Sequence, residues 1–133
     1  MLYHLLFLLL VKHMICDFAI QGRLKTDHDK WKLTSRKGHL HALDHAIGTS
    51  IVFTLLCISL AINLIPINLW CIILFGILDY VFHFTIDWLK NNIVKENNFK
   101  KDSREFWILT SVDQTLHVMT YWLFVIVFDI YFF

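Results

Sequence analysis

This chain of 133 residues has few cysteines, a single proline and almost no net charge. The three cysteines lie in apolar stretches without a C-x-x-C pair, which argues against a disulfide framework, a thiolate zinc site and an iron–sulfur cluster. The single proline, Pro66, predicts a tight turn over residues 63–68. A net charge of +1 favours no class of partner. The basic residues do not alternate with an exposed aromatic surface, so we expect no nucleic-acid partner.

Apolar residues, by contrast, are abundant, at 57% of the chain, against about 45–50% in ordinary soluble domains. They form four runs, each with roughly the 20 residues that cross a hydrocarbon core as a helix. The N-terminus has neither a basic start nor a small-residue cleavage site, so we expect the first run to be retained. The sequence therefore predicts one integral membrane domain over residues 1–133. Its fold class is all-α, a bundle of four transmembrane helices at about 2–20, 39–65, 67–89 and 107–130.

Positive charge is concentrated in two segments of this predicted bundle. Eleven of the twelve Lys and Arg residues fall within residues 21–38 and 90–105. Because basic loops remain in the cytoplasm, both segments are predicted to be cytoplasmic, with both termini and the Pro66 turn on the other side. Trp88 and Trp107 fall where an interfacial aromatic belt would lie.

Each predicted helix carries a pair of His or Asp residues four positions apart, which places both side chains on one helix face. All four pairs lie beside a basic loop, so they share a depth in the cytoplasmic half of the membrane. Corresponding positions in the two halves of the chain are offset by 70 to 72 residues. This offset indicates two pseudo-repeated helical hairpins. The pairs are His13/Asp17, His41/His45, His83/Asp87 and Asp113/His117.

Imidazole and carboxylate groups together suit zinc, manganese or iron, and helical bundles build two-metal centres from ligands on facing helices. The shared depth therefore predicts a metal site, with two divalent ions held by the eight paired residues. Taken singly, any one pair could instead be a hydrogen bond between helices, which contributes about 0.6 kcal/mol in membranes.

Other polar residues have less definite roles. Asp79 lies one turn deeper than His83 and is a candidate second-shell group or general base. Gln21, Lys90 and Gln114 are candidates to position an anionic substrate. A further five residues stay open between packing and other roles: Asp44 as a cap or loop-end group, His39 at a helix entry, and Tyr80, Tyr121 and Trp122 as packing or lipid-facing residues.

Four motifs in order carry a resemblance to a known family: H-x-x-x-D-F-x-x-Q from His13, a helix with H-x-x-x-H, H-x-x-I-D-x-x-K from His83, and D-Q-x-x-H from Asp113. Together they cover nearly the whole chain. The sequence resembles the bacterial and phage membrane proteins catalogued as domain of unknown function 3307. The resemblance implies an integral membrane protein and indicates no particular activity, while the charge pattern predicts the inner (cytoplasmic) membrane as its location. A fainter similarity to small membrane-bound metal-dependent hydrolases, which also cluster His and Asp at helix ends, is an analogy.

The favoured function is a membrane-embedded metal-dependent hydrolase open to the cytoplasm, acting on a phosphorylated or ester substrate such as a lipid phosphate. One alternative is a di-iron oxidoreductase acting on lipid. Another is a non-enzymatic protein that binds metal or uses its polar core only for folding. Transport is disfavoured because the opposite half of the bundle offers only His4 and Asp129. The partners expected are the lipid bilayer and an anionic lipid or phosphorylated small molecule, and the chain length is compatible with a homodimer.

Overall fold

Four long helices account for almost all of the chain in the computed structural model, which describes residues 2–21, 30–62 and 69–132. α1 spans Leu2–Met14 and continues as a π-helical segment, Ile15–Ile20. α2 spans Arg36–Ile62, α3 spans Leu69–Glu96 and α4 spans Arg104–Phe132. No strand occurs in these ranges. The predicted all-α bundle of four helices is confirmed, whereas the turn predicted at Pro66 lies outside the described residues.

The surface of the bundle is apolar and much of its interior is polar. All four helices are long and apolar enough to cross a membrane. Large apolar side chains such as Phe7, Ile77 and Trp107 are more than half exposed, as expected for residues that contact lipid rather than water. Histidine, aspartate, lysine and threonine side chains are instead buried among the helices. This arrangement is that of a multi-pass membrane protein with polar groups enclosed by its own helices.

α2 and α4 begin before their predicted starts at residues 39 and 107, because serine caps precede them. The Ser35 hydroxyl accepts a hydrogen bond from the Gly38 amide at 3.1 Å, so α2 begins at Arg36. The Ser103 hydroxyl accepts one from the Phe106 amide at 3.2 Å, and α4 begins one residue later. Residues 36–38 and 104–106 therefore belong to helices.

α3 ends later than predicted. It continues to Glu96, through residues that the charge pattern assigned to the second loop. Its end has the left-handed residue typical of a helix C-terminus, Asn98 with φ 53°, and the Phe99 amide donates to the Val94 carbonyl at 3.0 Å. The Asn92 side chain also donates to the carbonyl of Trp31, which ties this last part of α3 to the first loop.

Aromatic residues fill the half of the bundle that contains the N-terminal end of α1. The Phe53 and Phe75 rings stack at 4.3 Å, and Phe124 and Phe128 pack edge-on against them. Leu5, Leu9, Val52, Tyr121 and Val125 complete this core. The close approach of α2 and α3 depends on Gly76, where a Cβ atom would lie 2.5 Å from the Ser50 hydroxyl. The bundle thus has an apolar half and a half that holds the polar site.

Candidate metal centre

All eight residues predicted as metal ligands come together inside the bundle, in the half beyond the aromatic core. Each of the four helical elements contributes two of them, so the site joins residues up to 104 positions apart in the sequence. Within each group below, one possible ligand atom per residue lies within 4.8 Å of the others. The groups are Asp17, His41, His45 and His83; then His13, His83 and His117; then Asp87, Asp113 and His117.

The first group surrounds Asp17, which lies in the π-helical segment of α1. π-helical turns interrupt regular helices and occur often at functional sites. Asp17 Oδ1 lies 3.0 Å from His45 Nε2, 3.2 Å from His41 Nε2 and 3.9 Å from His83 Nε2. The Nε2 atoms of His41 and His83 are themselves 3.0 Å apart. Three imidazoles therefore direct Nε2 towards one carboxylate oxygen.

The second carboxylate, Asp87, faces two parts of the cluster. Its Oδ2 atom lies 3.7 Å from His41 Nε2 and 3.8 Å from His83 Nε2. Its Oδ1 atom lies 3.6 Å from His117 Nε2, which is 3.8 Å from Asp113 Oδ1. His117 Nε2 and Asp113 Oδ1 are both buried and have no hydrogen-bond partner among the described residues. Asp87 therefore presents one carboxylate oxygen to each part of the cluster.

The separations are compatible with a divalent metal, and the longer ones are too long for good hydrogen bonds. Zinc–nitrogen bonds of 2.0–2.1 Å in a tetrahedron place neighbouring ligand atoms about 3.3–3.4 Å apart. The spacings around Asp17 and Asp87, from 3.0 to 3.9 Å, bracket that value. A hydrogen bond at 3.6 Å or longer contributes little, so the unpartnered groups near Asp87 would be costly to bury without another partner. The donor set therefore fits zinc, manganese or iron.

Beneath the cluster lies a polar layer that the sequence did not predict, centred on Lys12. Its Nζ atom donates to Asp79 at 2.5 Å, to Tyr121 Oη at 2.8 Å and to the His45 carbonyl at 3.3 Å. Asp79 also accepts a 2.5 Å hydrogen bond from Thr49. Asp79 is 1% exposed and belongs to none of the three candidate groups, so its contact with the cluster runs through Lys12.

Two features of the sequence accommodate Lys12. Gly48 faces its stem, where an added Cβ atom would lie 2.9 Å from Lys12 Cδ. Tyr121, for which we predicted packing or lipid contact, is 1% exposed. Its hydroxyl oxygen accepts the hydrogen bond from Lys12 and lies 3.1 Å from His13 Nδ1. Tyr121 is thus a packing residue that also contacts the site directly.

A polar cleft of about 230 Å³ opens above the cluster, on the side away from the aromatic core. The three predicted substrate residues, Gln21, Lys90 and Gln114, all line it. Its walls also include the carboxylates Asp17, Asp87 and Asp113, together with Lys30, Asn91, Lys101 and Phe106. The three carboxylates among the predicted ligands are therefore accessible to a small polar molecule, whereas the five histidines lie buried behind them.

Lys30 is the second site residue that the sequence did not reveal, since it lies among loop residues interpreted first as a topology signal and second as a general attraction for anionic groups. Its side chain is 5% exposed and donates to Asp87 Oδ2 at 2.5 Å and to Gln21 Oε1 at 3.1 Å. Lys90 similarly donates to Asp113 Oδ2 at 3.2 Å. Each of these two carboxylates thus has one lysine on its cleft side.

The residues with open roles lie outside the cluster. His39 stacks on Phe84 at 4.3 Å, accepts from the Tyr80 hydroxyl at 2.7 Å and donates to the Leu33 carbonyl at 2.8 Å. These contacts make His39 and Tyr80 packing residues near the start of α2. Asp44 belongs to none of the three candidate groups and has one buried oxygen without a partner in the described part of the chain.

Comparison with known families agrees with the motif pattern. The family model described as "Protein of unknown function (DUF3307)" matches residues 5–132. The chain belongs to this family. The DUF3307 match includes every residue of the three candidate metal-binding groups. No curated protein and no solved structure matches the chain.

Proposed function

We propose that this DUF3307 protein is a membrane-embedded, metal-dependent hydrolase whose site opens to the cytoplasmic side. The observation that carries the proposal is the convergence of five imidazoles and three carboxylates, all drawn from membrane-spanning helices, beneath a lysine-lined cleft. Buried ionisable residues in such helices are expensive, and their default interpretation is functional. Hydrogen bonds that only hold the helices together would need one or two polar pairs, whereas this cluster contains eight His and Asp residues.

The ligands of two divalent ions would be drawn from the eight clustered residues. Bound zinc, manganese or iron would supply an activated water and stabilise charge on a phosphoryl or acyl oxygen. The chain's own contribution is to fix the ligand positions and, through the aromatic core, to exclude bulk water from the side opposite the cleft. Asp79, the candidate general base, is instead proposed as a second-shell group because Lys12 separates it from the cleft.

The cleft favours a substrate with an anionic group, such as a phosphate ester. A lysine ammonium has three N–H donors. Lys90 uses one on Asp113, and Lys30 uses two, on Asp87 and Gln21, so both retain donors towards the cleft among the contacts of the described residues. Gln21 and Gln114 add amide groups for orientation. A cleft volume of about 230 Å³ suits a lipid headgroup or a small phosphorylated molecule. A lipid phosphate of the inner leaflet would have both the anionic group and a headgroup of this size.

The proposed setting is the cytoplasmic membrane, with both termini on the non-cytoplasmic side and the cleft at the cytoplasmic surface. The basic residues of 30–37 and 90–104 support this orientation. The aromatic core disfavours transport, because it closes the other half of the bundle with apolar side chains. Access from one side suits an enzyme better than a carrier.

Phosphate release by the protein purified in detergent tests the proposal. The protein is stripped with a chelator, reloaded with zinc, manganese or iron(II), and supplied with p-nitrophenyl phosphate or with phosphatidic acid in mixed micelles. Hydrolysis that requires one of these metals and is lost in Asp87→Asn, but not in Asp129→Asn, supports the proposal. Oxygen consumption with iron(II) and no hydrolysis under any metal would favour the oxidoreductase instead.

A further inference from the structure

The hydrogen bonds of Lys12 determine which ring nitrogen of His45 carries the proton. Lys12, in its ion pair with Asp79, donates hydrogen bonds and accepts none. Two of its three N–H donors go to Asp79 and Tyr121, and the third is shared between the His45 carbonyl at 3.3 Å and His45 Nδ1 at 3.4 Å, so Nδ1 presents a lone pair. A neutral imidazole with an accepting Nδ1 carries its proton on Nε2. His45 Nε2–H then donates to Asp17 Oδ1 at 3.0 Å.

His13 has the same tautomer, fixed from two sides. Tyr121 Oη accepts from Lys12, and its own hydroxyl proton points to His13 Nδ1 at 3.1 Å. On the other side, the Gln114 amide nitrogen lies between Asp17 Oδ2 at 3.1 Å and Asp113 Oδ2 at 3.3 Å. Carboxylate oxygens only accept, so this orientation of the amide turns Gln114 Oε1 towards His13.

The consequence is that His13 Nε2 must be a donor. It lies 3.2 Å from Gln114 Oε1 and 3.3 Å from Asp17 Oδ2, both of which accept. Asp17 therefore receives hydrogen bonds from His13, His45 and Gln114. A nitrogen that donates a proton has no lone pair for a metal ion.

His41 and His83 differ from this pair in the same cluster. Their Nε2 atoms face each other at 3.0 Å, and their Nδ1 atoms have no partner in the described part of the chain. Neither ring has a hydrogen-bond donor at Nδ1, among the described residues, that would fix its proton on Nε2. Both Nε2 atoms lie near Asp17 Oδ1 and Asp87 Oδ2, with His41 Nε2 3.2 Å from Asp17 Oδ1. Their lone pairs are free to coordinate.

We propose that His13 and His45 are positioning residues that hold Asp17, and that Lys12 and Tyr121 fix the tautomers in which they do so. The inference rests on the proposed metal site and divides its eight residues into two classes. Six remain as ligands: Asp17, His41, His83, Asp87, Asp113 and His117. Asp87 would contribute to holding both ions, since its Oδ2 lies towards His41 and His83 and its Oδ1 towards His117.

His41→Gln and His45→Gln form a matched pair of tests, because both histidines are fully buried on α2 one turn apart. A glutamine amide can replace an Nε2–H donor but is a poor substitute for a coordinating imidazole. His45→Gln is expected to keep the wild-type metal content, with affinity within about tenfold, while His45→Leu loses about 10–100-fold. His41→Gln is expected to lose one ion per chain.

The visible spectrum of the cobalt(II)-substituted protein distinguishes a metal ligand from a residue with a purely structural role. The visible spectrum of the cobalt form reports the ligand set, so it should be unchanged in His45→Gln and altered in His41→Gln. His13→Gln, paired with His117→Gln, repeats the comparison if either α2 variant fails to fold. Equal loss of metal and equal spectral change in the two members of a pair overturn the inference while leaving the proposed function intact. A wild-type protein that binds no metal overturns the proposed function, and the inference with it.

Discussion

The Nζ atom of Lys12 lies 2.5 Å from the Oδ2 atom of Asp79, joining α1 to α3 through a buried ion pair. Their side chains are 7% and 2% exposed. Removal of one member leaves the other charge buried without its partner, which typically costs 3–5 kcal/mol. This pair lies directly below the proposed metal site, so it links the stability of the bundle to the placement of His45.

Lys12→Met is therefore expected to lower the free energy of unfolding by about 3–5 kcal/mol. The double variant Lys12→Met/Asp79→Leu is expected to recover most of that loss, since no charge remains unpaired. Thermal unfolding in detergent, followed by circular dichroism, measures both. A single variant as stable as the wild type would mean that the ion pair does not contribute to folding.

Gly48→Ala tests the space that the sequence leaves for Lys12. The added Cβ atom would lie 2.9 Å from Lys12 Cδ and 3.1 Å from its Cγ, so the lysine must shift and its hydrogen bonds weaken. We expect a loss of about 1–3 kcal/mol in unfolding free energy. Gly38→Ala is the matched control, because its nearest contacts are at 3.4–3.5 Å and alanine is favoured in a helix. Equal stability of the two variants would contradict the close contact.

Lys90→Met tests the recognition of an anionic substrate in the cleft. A hydrogen bond to a charged group contributes about 1.5–3 kcal/mol, so kcat/KM for a phosphorylated substrate should fall by about 10–100-fold. Lys100→Met is the control, since it removes one loop charge without lining the cleft. Metal content is measured in both variants, because Lys90 also contacts Asp113. A fall of the same size for Lys100→Met would indicate general electrostatic attraction instead.

Orientation in the membrane can be tested by cysteine labelling. The three native cysteines, none of them in the metal-binding groups, are first replaced by alanine. Lys100→Cys is then expected to react with an impermeant maleimide only from the cytoplasmic side, and Tyr3→Cys only from the opposite side. Both side chains are exposed in the bundle. The reverse pattern would place the cleft outside and contradict the cytoplasmic substrate.

Helix number and the convergence of the polar residues could be predicted because a membrane imposes strong physical constraints. An apolar run of about 20 residues indicates a helix long enough to span a membrane. Ionisable residues within such a helix have a high free-energy cost, so they are expected to face one another inside the bundle. The pair spacing then placed His83 and Asp87 on one face. Helix ends were less accurate, because the caps at Ser35 and Ser103 belong to polar sequence that resembles a loop.

Lys12, Lys30 and Tyr121 were missed for different physical reasons. Lys30 reaches Asp87 from a loop, and no periodic pattern indicates such a contact. Tyr121 resembles any aromatic residue of a membrane helix until its hydroxyl partner is known. Lys12 did carry a signal, as the single basic residue outside the two basic segments. A lone lysine within a spanning helix requires a buried acidic partner, and Asp79 was the aspartate of the third helix that belonged to none of the four His/Asp pairs.

The metal content of the purified protein tests the central claim most directly. Elemental analysis of the wild type, Asp87→Asn and Asp129→Asn compares the carboxylate proposed to contribute to holding both ions with a carboxylate near the other end of the bundle. We predict about two zinc, manganese or iron ions per chain in the wild type and in Asp129→Asn, and loss of at least one in Asp87→Asn. Less than about one such ion per wild-type chain, after reloading with each metal, would contradict the account.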